Sequence, residues 1–264
     1  MNENLNGFTD HITSAGVDGR IILIGRGLGL CISPPLAAPA CQSNPPQFVA
    51  IDSVPIASYD GLAWVIRHYD GWPEFGSYDA QNHDPGCPKF GYSCESDTSG
   101  TSWKTVNTPL RTDAVLHFVA VTDDNAFTIY AKMFRDGIVN KMRPDGYALA
   151  TPEVPHGYVF HSIVGYTLHD LQNAGLLNNS RTDLANTPTS CPTMQRFGRK
   201  YVQLSIETGG AIQQVCQSDW TSMFRDVLSS LAHLTLLTWF CLPDCECHCQ
   251  DGIASMPPKH RVSQ

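Results

Sequence analysis

The stretch that most constrains the fold is 115–125, VLHFVAVTDDN. From Val115 to Val121 apolar and β-branched residues fill both faces of a strand, and the oxygen-bearing side chains of Thr122, Asp123, Asp124 and Asn125 follow at one end. A strand apolar on both faces is expected inside a parallel sheet with both sides covered. Open α/β sheets bind ligands beyond the carboxyl ends of their strands, and carboxylate, hydroxyl and amide oxygens suit Mg²⁺ or Ca²⁺. The competing account is local. Asp and Asn form turns and cap helices, and Asp124 or Asn125 is placed to cap a helix starting near Phe127.

Arg111-x-x-Ala114 followed by HFVAVTDDNA resembles the middle of a von Willebrand factor A-type domain, in the bacterial envelope group that carries a VTDD-type strand end. Further matches lie in order on either side, at Asn4-Leu5-Asn6-x-Phe8, Thr208-Gly209-Gly210 and Cys216-x-x-Asp219-Trp220, and together they span Asn4 to His233. The resemblance implies an α/β, doubly wound, mostly parallel sheet with helices on both faces, a Rossmann-type three-layer arrangement. It also implies a protein-binding, adhesion-type role, in which a divalent cation at the top of the sheet completes its coordination with an acidic group of the partner. Asp123 is the ligand carried over, with Asp124 beside it. A Thr or Ser from a loop beside the second helix is a further ligand in such domains, and Ser58 is the candidate here, with helix capping as its alternative role. The family's Asp-x-Ser-x-Ser loop follows a first strand that would precede the helix opening this chain, so those ligands have no counterpart. The chain therefore reads as N-terminally incomplete, with the first strand missing and Mg²⁺ or Ca²⁺ held weakly if at all. The strands at Ile21–Ile24 and Val115–Val121 are predicted to border the gap.

At 264 residues and 42% hydrophobic content, the chain can bury a large core in one α/β domain. The domain is assigned to 1–235 and a Cys-rich, poorly ordered tail to 236–264. The formal net charge is −8, and the few Lys and Arg residues form no stripe, which argues against a nucleic-acid or anionic-membrane surface. No window approaches the roughly 18 apolar residues of a membrane span, and Met-Asn-Glu-Asn lacks the form of a signal peptide.

The ten cysteines fall as local pairs, Cys31 with Cys41, Cys87 with Cys94 and Cys191 with Cys216, plus a tail group of Cys241, Cys245, Cys247 and Cys249. None has the CxxC spacing of a zinc site, so disulfides in an oxidising compartment fit better. That agrees with the secreted or envelope location implied by the resemblance, and similar domains carry a cysteine pair where Cys31 and Cys41 stand. The alternate cysteines of Cys245-Glu-Cys-His-Cys249 suit either a soft metal or free thiols.

Periodicity supplies the remaining elements. Helices are expected over residues 2–15, 58–66, 127–137, 195–208 and from Ser218 to about Ala232; strands over 20–25, 48–52, 158–164 and 211–215. Gly25-x-Gly27-x-Gly29 is a weak nucleotide-loop match, since Pro34-Pro35 bars the helix a dinucleotide fingerprint requires. Asp97-Thr98-Ser99-Gly100-Thr101 mimics a metal motif without the rigid strand that would hold it. His161 reads as a packed core residue and the run to Pro192 as a loop. Two rival functions remain: a metal-free structural remnant of such a domain, and a metal-dependent hydrolase using Asp123 and Asp124. The hydrolase has no HExxH, no GxSxG and no nucleophile–base pair behind it.

Overall fold

Strands and helices alternate along the chain, and every strand pairing of the α/β body is parallel. The computed structural model describes residues 2–16, 20–24, 32, 34–45, 47–51, 61–67, 69, 103–104, 115–127, 129–143, 146, 148–150, 157–177, 189–226, 249–250 and 253–254. In order these form α1 (Asn2–Ser14), β1 (Ile21–Ile24), a 3-10 turn (Pro39–Cys41), β2 (Phe48–Ile51), α2 (Gly61–Arg67), β3 (His117–Thr122), α3 (Ala131–Val139), β4 (Val159–Val164), α4 (Leu168–Asn173), α5 (Arg199–Thr208), β5 (Ile212–Gln214) and α6 (residues 221–226). In the tail, β6 (Cys249–Gln250) and β7 (Ile253–Ala254) pair antiparallel.

The parallel strands form two ladders, β1–β2 and β3–β4–β5. Ile21 pairs with Phe48 in the first; His117 pairs with Val159 and Ser162 with Ile212 in the second. Alternation along each strand sends side chains to opposite faces. Phe118, Ala120, Phe160 and Val164 join one core with Ile22, Ile24, Val49 and Ile51, under Leu62, Ala63 and Ile66 of α2, Phe134 and Ile138 of α3, and Tyr201 and Leu204 of α5. The two ladders thus share one core beneath one helical layer. On the other face Val121, Ile163 and Ala211 pack with Phe8 of α1 and with Met223 and Phe224 of α6, the Phe8 and Phe224 rings lying 4.7 Å apart. Helices consequently cover both faces of the three-stranded ladder.

Edge-to-face rings fill the main core. Phe118 meets Phe134 at 5.4 Å and Tyr158 at 5.6 Å, in the arrangement favoured by the ring quadrupoles. Trp103, far along the chain, is buried here too: its indole N–H donates to Val65 O at 2.6 Å and its ring stands edge-on to Tyr69 at 4.5 Å. Where α2 crosses α3, Gly137 lies so close that a Cβ there would be 2.7 Å from Ile66 Cδ1. Gly137 was expected to end a helix; it sits inside α3 and lets the two helices approach.

Several expectations need correcting. β3 is not buried on both faces: its residues are half-buried, Val119 is 39% exposed, and among the described residues it pairs on one side only, whereas β4 is buried throughout. The apolar run alone does not distinguish a strand with two neighbours from one with a single neighbour. α3 begins at Ala131, four residues after the predicted Phe127, and Phe127 is exposed. The run after β4 contains α4, with a capping box in which Thr167 Oγ1 accepts from Asp170 N–H and the Asp170 carboxylate accepts from Thr167 N–H. α5 starts at Arg199 rather than near Gln195, because 191–198 is held elsewhere. No helix among the described residues is long and apolar enough to cross a membrane.

Candidate functional site

The carboxyl ends of β3, β4 and β5 form a crest over which residues 191–198 are tied. Asp123 O accepts the Gln195 and Arg196 amides at 2.8 and 3.2 Å, Gly165 O accepts the Gly198 amide at 2.8 Å, and Val164 O accepts the Val215 amide at 3.0 Å. The Gln214 side-chain amide donates to Tyr166 O at 2.5 Å. Met194 packs so tightly on Gly165 that a Cβ there would lie 2.4 Å from its Cγ. The Cys191–Cys216 disulfide closes this segment with Cα atoms 5.4 Å apart, as the local pairing of cysteines predicted.

The four oxygen-bearing residues of the strand end have separate duties. Thr122 Oγ1 accepts the Asp124 amide at 3.2 Å, and the Asp124 carboxylate accepts the Asn125 amide at 2.7 Å. Asn125 Oδ1 accepts the Lys200 amide at 3.1 Å. The N-cap of α5 is Gly198, which has no side chain to satisfy the first-turn amides, and Asn125 satisfies one of them, that of Lys200, from the neighbouring strand end. Capping was thus a correct reading of Asn125 but of the wrong helix: α3 starts behind Tyr130 with no side-chain cap. The Asp123 carboxylate takes no hydrogen bond from a described residue.

These donors do not fit a complete hard-cation site. Mg²⁺ and Ca²⁺ need six or more oxygens, and among the described residues no three His, Cys, Asp or Glu side chains converge. Asp123 and Asp124 are the carboxylates at this strand end, and Asp124 is already engaged with the following amide. Ser58 lies outside the described residues, as do Cys31, Cys87, Cys94, Cys245 and Cys247, the Asp97–Thr101 stretch and the side chain of Cys41.

Beside the crest stands a feature that periodicity did not reveal. The Arg196 guanidinium lies over the Phe127 ring, 4.7 Å from its centroid, and the Lys200 ammonium over the Tyr130 ring at 4.5 Å. Partial burial holds the Lys200 ammonium below its ordinary pKa. The partners are some 70 residues apart in sequence, so no local pattern pointed to them.

Toward the other end of the strands two histidines pair, His161 buried and His117 half-buried. The Ala211 amide donates to His161 Nδ1 at 2.9 Å, so neutral His161 carries its proton on Nε2 and donates it to His117 Nδ1 at 3.0 Å. His117 is then protonated on Nε2, which is buried without a hydrogen-bond partner among the described residues. Burial pushes the His117 imidazole down to about 4. His161 is the packed core residue expected of it, at 1% exposure.

No family model, curated protein or solved structure matches this chain.

Proposed function

We propose that this chain is a protein-binding module of the von Willebrand factor A type that engages a protein partner at the crest of its sheet, without catalytic turnover. The observation that carries the reading is the end of β3: the main-chain oxygen of Asp123 is pinned by two amides while its carboxylate stays without a hydrogen bond from any described residue. A fixed acid at the carboxyl end of a parallel strand is positioned for a ligand. The all-parallel ladders support a doubly wound order. Among the described residues β1 and β3 each pair on one side only, beneath a common core. The Cys191–Cys216 disulfide supports an exported, envelope or secreted location.

In this reading Asp123 holds Mg²⁺ or Ca²⁺ weakly, with Asp124 and Ser58 as further candidate ligands, and the ion stays largely hydrated. The second reading is a metal-free module, favoured by the engagement of Thr122, Asp124 and Asn125 in turn and cap hydrogen bonds. Calorimetric titration with Mg²⁺ tests both. A dissociation constant of roughly millimolar order, lost in Asp123→Ala and kept in Asp124→Ala, is expected of so few carboxylates. Absence of heat selects the metal-free module, and loss of binding in Asp124→Ala alone would show the ligand to be misassigned.

A further inference from the structure

The aromatic and cationic side chains beside the crest are arranged in a way the cation reading does not use. Phe127 is 41% and Tyr130 67% exposed, and each carries a cation over its ring. Of the other described cations, Lys132 pairs with Asp136 and Arg135 with Glu207 at 3.1 Å, while Lys104 and Lys141 lie over the ring of Tyr69, which unlike Phe127 and Tyr130 is buried. Arg196 and Lys200 pair with no carboxylate among the described residues, although the chain carries eight more acidic than basic groups. Their backbones are immobilised, Arg196 by its amide on Asp123 O and Lys200 by its amide on Asn125 Oδ1. Exposed aromatic rings with an Arg, rigidly held, have the composition of an interface hot spot.

Resting on the crest as a protein-binding face, we propose that Phe127, Tyr130, Arg196 and Lys200 form the docking surface for an acidic segment of the partner, its carboxylates meeting the two cations and its apolar side chains meeting the rings. An arriving carboxylate finds cations already ordered over rings, so little side-chain freedom is lost on contact. A cation partly stripped of water also gains more from a carboxylate than a fully hydrated one does. A nucleic-acid backbone is the poorer fit, because its binding depends on neutralising many phosphates, and here two cations stand on a chain of net charge −8.

Fluorescence anisotropy with the full chain tests this, using a labelled short peptide of Asp, Glu and Leu, the same peptide with Lys in place of its acids, and a labelled oligothymidine. Saturable binding of the acidic peptide alone is expected. It should weaken roughly tenfold or more in Arg196→Glu/Lys200→Glu and in Phe127→Ala/Tyr130→Ala, and stay unchanged in Lys132→Glu. Should circular dichroism show the charge-reversed pair unfolded, Arg196→Gln/Lys200→Gln is read in its place. No binding of the acidic peptide, binding indifferent to these substitutions, or oligothymidine bound equally and lost with the same variants would each overturn the proposal. If the peptide fails while Mg²⁺ still binds through Asp123, the docking surface is wrong and the crest reading stands. If the peptide binds as described and Mg²⁺ gives no heat, the docking surface stands on a metal-free module.

Discussion

Between pH 6.5 and about 4 the His117 imidazole takes up a proton in the unfolded chain that it does not take up in the native one. A depressed histidine pKa therefore contributes nothing above about pH 6.5 and destabilises the fold progressively as pH falls toward 4. The full effect is roughly 3 kcal/mol for a shift of that size. Urea denaturation across this range should show the midpoint falling with pH, and NMR titration of the imidazole protons should place His117 near pH 4. A midpoint level down to pH 4, with His117 titrating near 6.5, would mean that the pair is solvated. A second residue-scale prediction concerns Gly210, where a Cβ would lie 1.6 Å from Phe160 O. Gly210→Ala should destabilise by about 2 kcal/mol or more, because backbone rather than a flexible side chain blocks the space. The helix end at residue 208 was legible, and Gly209, the residue after it, takes φ +74. That Gly210 separates a helix from a strand by contact with β4 was not, since the clash involves a residue 50 positions away.

Elements were legible where their hydrophobic period was strong. α1, β1, β2, β4, α5 and β5 lie within the stretches that periodicity assigned to them. The misses share a cause: tertiary contacts moved an element's start, as when the amides of Gln195 and Arg196 bond Asp123 O instead of beginning α5. α4 escaped because six residues offer too short a period, although Thr167 and Asp170 spell its capping box. The standing of β3 as an edge is testable by hydrogen exchange. Amides of β4 should be the slowest to exchange, and those of β3 that point away from β4 should exchange with the solvent-exposed class. Uniform protection along β3 would mean that a further strand already pairs with it. The Cys191–Cys216 bridge closes a 25-residue separation around α5 and β5, and its removal as Cys191→Ser/Cys216→Ser should cost about 3 kcal/mol. In the same variant the amides of Gln195 and Arg196 should lose protection before those of β4, since the bridge anchors the segment tied over the crest.

At the scale of the whole molecule, the crest joins what was legible with what was not. Asp123 and Asp124 were visible as an acidic strand end, because β-branched residues stop abruptly before them. The neighbouring Arg196–Phe127 and Lys200–Tyr130 pairs were invisible, because they exist only once residues 191–198 fold across β3 and β4. The two features also act on each other. An acidic segment docked on Arg196 and Lys200 approaches Asp123, so Mg²⁺ bound there should tighten docking and chelation should weaken it. The most direct test of the central claim, that partners are bound at this crest, is an amide chemical-shift map of the full chain titrated with the acidic peptide in Mg²⁺. Perturbations should gather at Asp123–Phe127, Tyr130 and Gln195–Lys200 and leave His117, Val159 and Ala211, toward the other end of the strands, unmoved. Perturbations centred on those latter residues, or spread without a centre, would contradict it.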